Sequence, residues 1–307
     1  MKIKHLFGLA VIAAMTASCS SNEDLGTAGP GTGTNETGIG YATFTINLPS
    51  VSGTRADGDP TFEDGDANEY DVFNATLLVF KKPTTAASEG EYTFVESVDL
   101  GSMQPWKDPS ETGVTTQAKI TAKLSHVDKS GKYFALVLLN NGSGADAKVN
   151  LPTDETTTYS AWNKADNATD KFDKTDKGFY MANAPLYNAT DKNVTTLVAI
   201  DNNKIFPTEA QASSGDAAAD IYVERGLAKV TLTTATKDEK TVATSSSYAG
   251  DKVKISNWAL DVTNKKTFPI HNVDELGYED IWKNEPAATG PSTQRFVDVT
   301  TQHPLWA

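Results

Sequence analysis

Apolar and polar residues alternate over residues 41–48, the first regular pattern in the chain. Ala42, Phe44, Ile46 and Leu48 fall on one side of an extended backbone, and Tyr41, Thr43, Thr45 and Asn47 fall on the other. A period of two is typical of a strand with one buried face. Pro49 ends the pattern, because proline has no N–H to donate to a sheet. We therefore predict a strand at 41–48 whose apolar side chains face the core.

Short β-type runs separated by polar turns continue along the chain. They cover 75–80, 91–100, 115–124, 131–141, 195–200, 221–235, 252–264 and 295–301. The run at 131–141 is continuously apolar in its middle, which is typical of a central strand covered on both faces. Helical periodicity is weak, with room for one short helix within 159–174. This pattern predicts an all-β fold built from antiparallel sandwiches of Greek-key type.

A change of composition at 207–220, sequence PTEAQASSGDAAAD, predicts a linker. It divides the chain into an N-terminal β-sandwich domain at 56–215 and a C-terminal one at 216–307. The second is short for a sandwich, so we expect it to be truncated.

The N-terminus has the features of a bacterial export signal. Lys2 and Lys4 precede an apolar run that is too short to span a bilayer, and small residues lead to Cys19. Residues 16–19 are similar to a lipobox, although Thr16 stands where leucine is usual. We predict a signal peptide at 1–19 and lipidation of Cys19 by acyl chains such as palmitate; the alternative is an unlipidated signal with a chance cysteine. Cys19 is the chain's single cysteine, so it has no intramolecular disulfide partner.

Residues 20–40 are rich in Gly, Thr, Ser and Asn, which predicts a flexible tether between lipid and domain. Glu23 and Asp24 resemble the surface-export signal of Bacteroidota lipoproteins. The net charge of -13 argues against nucleic acid as a partner, because a basic face is needed to bind phosphates.

Residue patterns that carry chemistry are missing from the sequence. The four histidines are scattered without metal-ligand spacing, and nucleophile and phosphate-loop motifs are absent. Asp64, Asp66 and Asn68 match three positions of an EF-hand loop, but Glu69 replaces its glycine and Ala75 its final glutamate. We predict a protein that is not an enzyme and has no metal and no cofactor.

Several segments, in order along the chain, resemble the fimbrillins of Bacteroidales, the lipoprotein subunits of type V pili. They are the lipobox, the alternating strand followed by Arg55 in SGTRAD, and three further stretches. GFYMAN at 178–183 is similar to the family's aromatic-x-Met stretch, and VERGLAKVTL at 223–232 is similar to its V-E-R-x-x-A-K-V strand. NWALDVTNKKTFP at 257–269 is similar to a stretch found in the minor-fimbria branch of the family. The resemblance implies two tandem, transthyretin-like sandwich domains.

The resemblance also implies a processing step. The precursor is exported with its lipid and is cut in the loop after the first strand by an Arg-specific, trypsin-like or gingipain-like protease. Arg55 matches the cut arginine, and Ala56 begins the mature subunit. Small flexible neighbours suit a loop that a protease must draw into its cleft; the alternative is an ordinary surface arginine. Residues 41–55 are then a removable strand and its cleavage loop.

Removal of that strand predicts how subunits assemble. Loss of Phe44, Ile46 and Leu48 leaves vacant pockets beside unpaired backbone groups, an acceptor for a strand from another subunit. The predicted protein is a structural or adhesive fimbrial subunit at the cell surface or outer membrane, and then in an extracellular fimbrium, with other subunits as partners.

The alternative is a monomeric surface lipoprotein that binds a glycan or a host protein. Trp106, Trp162 and Trp282 are its candidates for stacking on sugars.

Overall fold

A computed structural model describes residues 32–49, 69–103, 114–188 and 193–227, with 240–242, 244, 247–254, 259 and 266–273 beyond them. Within these ranges the chain is mostly β-structure, as its alternating patterns predict. The strands are β1 (Gly40–Pro49), β2 (Ala75–Lys81), β3 (Thr93–Gly101), β4 (Val114–Leu124), β5 (Tyr133–Leu139), β6 (Met181–Asn183), β7 (Leu186–Asn188), β8 (Asn193–Thr195), β9 (Val198–Ala199), β10 (Ile205–Phe206), β11 (Ala219–Arg225), β12 (Lys240–Thr241) and β13 (Lys252–Val253). The α-helices described are α1 (Tyr159–Trp162) and α2 (Glu209–Ser214), and single turns of 3-10 helix lie at Glu89–Glu91, Gly144–Asp146, Ala165–Asn167 and Asn202–Lys204.

Most of these strands form one sheet that nearly closes on itself. Its order is β10-β1-β11-β6-β5-β2-β3, with β4 on the other edge of β1 and β9 beside β5. The far strands β3 and β4 approach each other, because Glu96 of β3 accepts hydrogen bonds from the backbone N–H groups of Ser125 and His126 at 3.0–3.1 Å. Two small hairpins, β7–β8 and β12–β13, stand apart from this sheet.

The strand β5 is covered on both faces, as its apolar run predicts. Ala135 and Val137 belong to an inner core that the sheet encloses, and Leu136 and Leu138 belong to an outer core on the opposite face. The segment between β5 and β6 covers the outer core with buried aromatic side chains: Tyr159, Trp162, Phe172 and Tyr180. The fold is therefore layered, with β2 and β5 between two apolar clusters.

The predicted linker at 207–220 is wrong for this domain. Thr208 caps the short helix α2 by accepting a hydrogen bond from Gln211 N–H, and Gly215 follows the helix. Then β11 enters the main sheet between β1 and β6. A boundary at 215 would cut off a strand that pairs with both neighbours.

The antiparallel expectation is also wrong for one pair, because β1 and β11 run parallel. Parallel neighbours need a long connection, and here nearly the whole domain connects them.

The predicted tether at 20–40 is ordered over its last residues. Asn35 Oδ1 accepts hydrogen bonds from Thr37 and Ile39 backbone N–H, both at 3.0 Å, and Gly33 N–H donates to Ile205 O at 2.6 Å. Gly33 has φ 116° and a Cβ there would meet Lys129, so glycine is required at that turn. A compact turn therefore leads into β1.

The segment 266–273 packs on the outer core. Ile270 is buried, its N–H donates to Asn163 Oδ1 at 2.9 Å, and Tyr180 O–H donates to Pro269 O at 3.0 Å. Burial raises the pKa of Tyr180, so its hydroxyl remains a donor. Most of 216–307 lies outside the described residues, so a second sandwich domain stays a prediction.

The turn between β4 and β5 is built around Asp128. Its carboxylate accepts hydrogen bonds from Ser130 Oγ (2.6 Å), Tyr133 O–H (2.8 Å) and Lys81 Nζ (3.0 Å). Hydrogen bonds from Ser130, Lys81 and Tyr133 hold the pKa of Asp128 well below its ordinary value of 3.8. Because the folded-state pKa is lowered, these contacts stabilise the fold above pH 3.8, and that contribution is lost as the pH falls towards the folded pKa.

We expect Asp128→Asn to lower the free energy of unfolding near neutral pH by roughly 0.2–1 kcal/mol, since the carboxylate is half-exposed and screened by water. The difference from the native protein should shrink as the pH falls below 3.8. Urea unfolding across the acid range measures both effects. Asp170→Asn, at an exposed carboxylate beside Lys171, is the control. An equal, pH-independent effect of the two substitutions would contradict the role given to Asp128.

Candidate functional site

The described residues include one of the predicted functional sets, the apolar face of β1. Most of the other predicted residues lie outside the described ranges: Cys19, Arg55, Ala56, Asp64, Asp66, Asn68, Trp106 and Trp282. The site that the structure offers is therefore β1 and the groove that holds it. The groove is defined here as β4 on one edge, β10 and β11 on the other, the inner core below and α2 above.

The inward face of β1 lies in the inner core, as the alternation predicts. Ala42, Phe44 and Ile46 are fully buried, and Leu48 is 5% exposed. Side chains at every second position reach the same side of a strand, so these four form one continuous ridge. Full burial of each large apolar residue contributes about 1.5–3 kcal/mol.

Both edges of β1 are hydrogen-bonded. The pairing with β4 is antiparallel and runs from Gly40–Leu124 to Pro49–Val114, with an irregularity at the last step. On the other edge β1 pairs with β10 at Tyr41 and Ala42, and then with β11 from Phe44 to Asn47. The strand is thus internal to the sheet along its length.

Two strands depend on β1 for their place in the sheet. Among the described strands, β4 and β10 have β1 as their ladder partner and no other. An empty β1 position would leave one edge of β4 and one edge of β11 as rows of unpaired N–H and C=O groups. Loss of β1 would therefore break the sheet rather than shorten it.

The outward face of β1 is more buried than the sequence predicts. Thr43 and Asn47, placed on the polar face by the alternation, are each 1% exposed. Thr43 Oγ1 lies 2.8 Å from Thr121 Oγ1 on β4 and 2.8 Å from Ala212 O in α2. Since a carbonyl oxygen can only accept, the Thr43 hydroxyl donates to Ala212 and accepts from Thr121.

Asn47 is held in a similar way further along the strand. Gln117 Nε2 on β4 donates to Asn47 Oδ1 at 2.7 Å. Asn47 Nδ2 donates to Ile221 O on β11 at 3.5 Å, a long hydrogen bond. One amide side chain therefore contacts both neighbouring strands.

Sequence reasoning missed the polar part of this site. Alternation distinguishes two faces, but it does not reveal that a helix covers the second one. A local signal for this helix was present. Thr208 is a typical N-cap residue and Gly215 a typical residue after the end of a helix, so the pair indicates a short helix between them. The fully buried Ala212 of that helix lies over Thr43.

The described residues hold no group of three or more His, Cys, Asp or Glu side chains placed to bind a metal ion. None of the helices described is long and apolar enough to cross a membrane. Trp162, a candidate for stacking on sugars, is 3% exposed and donates its indole N–H to Asn150 O at 2.7 Å. That prediction is wrong for Trp162, because its ring lies inside the outer core.

We expect Phe44→Ala to lower the free energy of unfolding by about 3–5 kcal/mol, because it removes a fully buried aromatic ring from the ridge. Thr45→Val, at the neighbouring half-buried position, should change it by less than about 0.5 kcal/mol. Chemical denaturation of the purified proteins measures both values. Comparable losses for the two variants would show that the inward ridge does not carry the stability of β1.

Comparison with known proteins gives little further information. No family model and no curated protein matches the chain. Among solved structures, it is similar to a fimbrial assembly protein from Parabacteroides distasonis, with 12% sequence identity and a TM-score of 0.32. The match covers 60% of this chain and 52% of that one, so it spans about half of that structure. A likeness of this strength establishes neither a shared fold nor a shared role.

Proposed function

We propose that this protein is a surface-exported pilus subunit in which β1 is a removable strand. A protease cuts after Arg55, β1 leaves, and a strand from another subunit takes its place. One observation carries the proposal: the described strand that comes just before Arg55 fills a two-sided groove, with both edges paired and its apolar ridge buried.

The energy of the groove supports replacement over simple loss. Three large buried side chains at about 1.5–3 kcal/mol each approach the whole stability of a domain, about 5–15 kcal/mol. A domain without β1 would also expose the edges of β4 and β11. Such a domain is unstable, or aggregates through its unpaired strand edges, until another strand fills the position.

The covalent link at 50–55 decides which strand occupies the groove. While β1 is attached, its effective concentration at the groove is about millimolar, so a strand from a second molecule competes poorly. A cut after Arg55 removes this advantage without changing any contact of β1. Once β1 dissociates and is diluted, a donor strand can bind in its place.

Strand donation from one subunit to the next is a heterologous contact, because donor and groove are different surfaces. Such contacts form open fibres when the rotation between subunits does not close a ring. The expected product is a filament of subunits, each completed by its neighbour. Lipidation at Cys19 would hold the precursor at the membrane before the cut, and the cut would separate the mature subunit from that anchor.

We expect Arg55→Lys to block polymerisation while leaving the protein folded. Lysine keeps the charge but is not a substrate for an Arg-specific protease. The chain has three arginines, at 55, 225 and 295. Arg225 lies in β11, and a residue within a sheet is a poor protease site because cleavage requires an extended loop. Treatment of the folded native protein with an Arg-specific protease should give a new N-terminus at Ala56. SDS-resistant oligomers should follow when a donor strand is present.

Arg295→Lys is the matched control, since it removes a different arginine by the same substitution. N-terminal sequencing and gel electrophoresis report the cut and the assembly separately. Oligomers from Arg55→Lys at the native rate would contradict the proposal. So would a native protein that is cut after Arg55 and stays monomeric with a donor strand present.

Lipidation can be tested on its own. Cys19→Ser removes the thiol that would carry the acyl chains, so the precursor should move from the detergent phase to the aqueous phase in phase partitioning. Ser18→Ala, next to it, should leave partitioning unchanged. Detergent-phase partitioning of Cys19→Ser would exclude Cys19 as the anchor.

A further inference from the structure

We infer that the groove selects its replacement strand through two buried polar positions on the outer face, those of Thr43 and Asn47. The inference rests on the proposed strand replacement and adds the chemistry of the partner. The partner is a strand of another subunit with a hydroxyl at the first position and an acceptor oxygen at the second, alternating with apolar residues.

The position of Thr43 requires a group that donates and accepts. Thr43 is 1% exposed, and its hydroxyl lies between Ala212 O and Thr121 Oγ1, each at 2.8 Å. Serine and threonine are the small side chains that supply both functions from one atom. A valine there would leave the Thr121 hydroxyl without this acceptor, and a long charged side chain would collide with α2.

The position of Asn47 requires an acceptor. Gln117 Nε2 donates to Asn47 Oδ1 at 2.7 Å, which is the short contact, whereas the contact from Nδ2 to Ile221 O is 3.5 Å. A leucine at this position would fill the space but leave the Gln117 amide without that oxygen. Asn47 is 1% exposed and Gln117 is half-buried, so an unpaired amide here costs more than one on an open surface.

Thr45 lies on the same face between them and has no such requirement. It is half-buried, and no hydrogen bond joins its hydroxyl to the described part of the chain. The outer face therefore constrains the side chains at positions 43 and 47 but not the one at position 45. This gives the partner strand a defined order: small residue, hydroxyl, large apolar, free, large apolar, acceptor, apolar.

The order of the two polar residues matters as well as their presence. Exchange of threonine and asparagine keeps the composition and the whole apolar ridge of the strand. It places an amide beside α2, where the space fits a hydroxyl, and a hydroxyl opposite Gln117, where the reach of an amide is needed. A groove that recognises apolar residues alone would accept both orders equally.

Synthetic peptides test this inference without changing the fold of the protein. The full chain is folded, cut after Arg55 and then offered fluorescent peptides in excess: residues 40–49, the same peptide with Thr45→Val, and the double variant Thr43→Asn with Asn47→Thr. Fluorescence anisotropy and native gels measure incorporation, and uncut protein is the blank. We expect the first two peptides to enter equally, and the double variant to bind at least about tenfold more weakly.

Gln117→Leu in the protein supplies the matching half of the test. With the native protein, the Asn47→Leu peptide should bind much more weakly than the native peptide. With the Gln117→Leu protein the two peptides should bind equally, since no amide donor remains opposite position 47. Thr121→Val with a Thr43→Val peptide gives the same comparison at the other position.

The outcomes separate the two proposals. If the native and double-variant peptides enter the cut protein equally well, polar selection is wrong while strand replacement stands. If the cut is verified at Ala56, β1 has left and no peptide enters, strand replacement is wrong and the selection falls with it. Weak binding of the Asn47→Leu peptide to both proteins alike would also overturn the role of Gln117.

Discussion

Pairing of β1 on both of its edges is the interaction on which the rest of this domain depends. Through β4 it brings the distant end of the sheet towards β3, and through β11 it connects to β6 and β5. The buried ridge from Ala42 to Leu48 then fills the space that the curved sheet encloses. The first of the described strands is therefore the one that joins the two halves of the sheet.

Strands with a regular pattern could be predicted from the sequence, and elements defined by tertiary contacts could not. The alternation at 41–48 predicted the inward face of β1, and the apolar run of β5 predicted a strand covered on both sides. The parallel partnership of β1 and β11 left no local signal, because it joins residues such as Asn47 and Ile221 that are 174 positions apart. The linker at 207–220 failed for a similar reason: small and polar residues are also what a short capped helix on a sheet requires.

The candidate site shows the same division. Phe44 and Ile46 could be assigned to the core from spacing alone. Thr43 and Asn47 were placed in solvent by the same rule, since the rule assumes that one face of the strand is open. Their burial comes from α2 and from Gln117 and Thr121 on β4, none of which the pattern within β1 encodes. The polar residues that give the groove its selectivity are thus the ones that sequence reasoning identifies last.

The long separation between β1 and β11 also sets the order in which the domain can fold. Hairpins such as β2–β3 join residues close in the chain, so they can form early. In contrast, the hydroxyl of Thr43 meets Ala212 across 169 positions, and the β11 edge of the groove does not exist until the chain has passed residue 225. Closing so long a loop delays folding more than it destabilises the final state. The strand β1 can therefore pair with β4 well before its second edge has a partner, and its place in the sheet is completed only when β11 arrives.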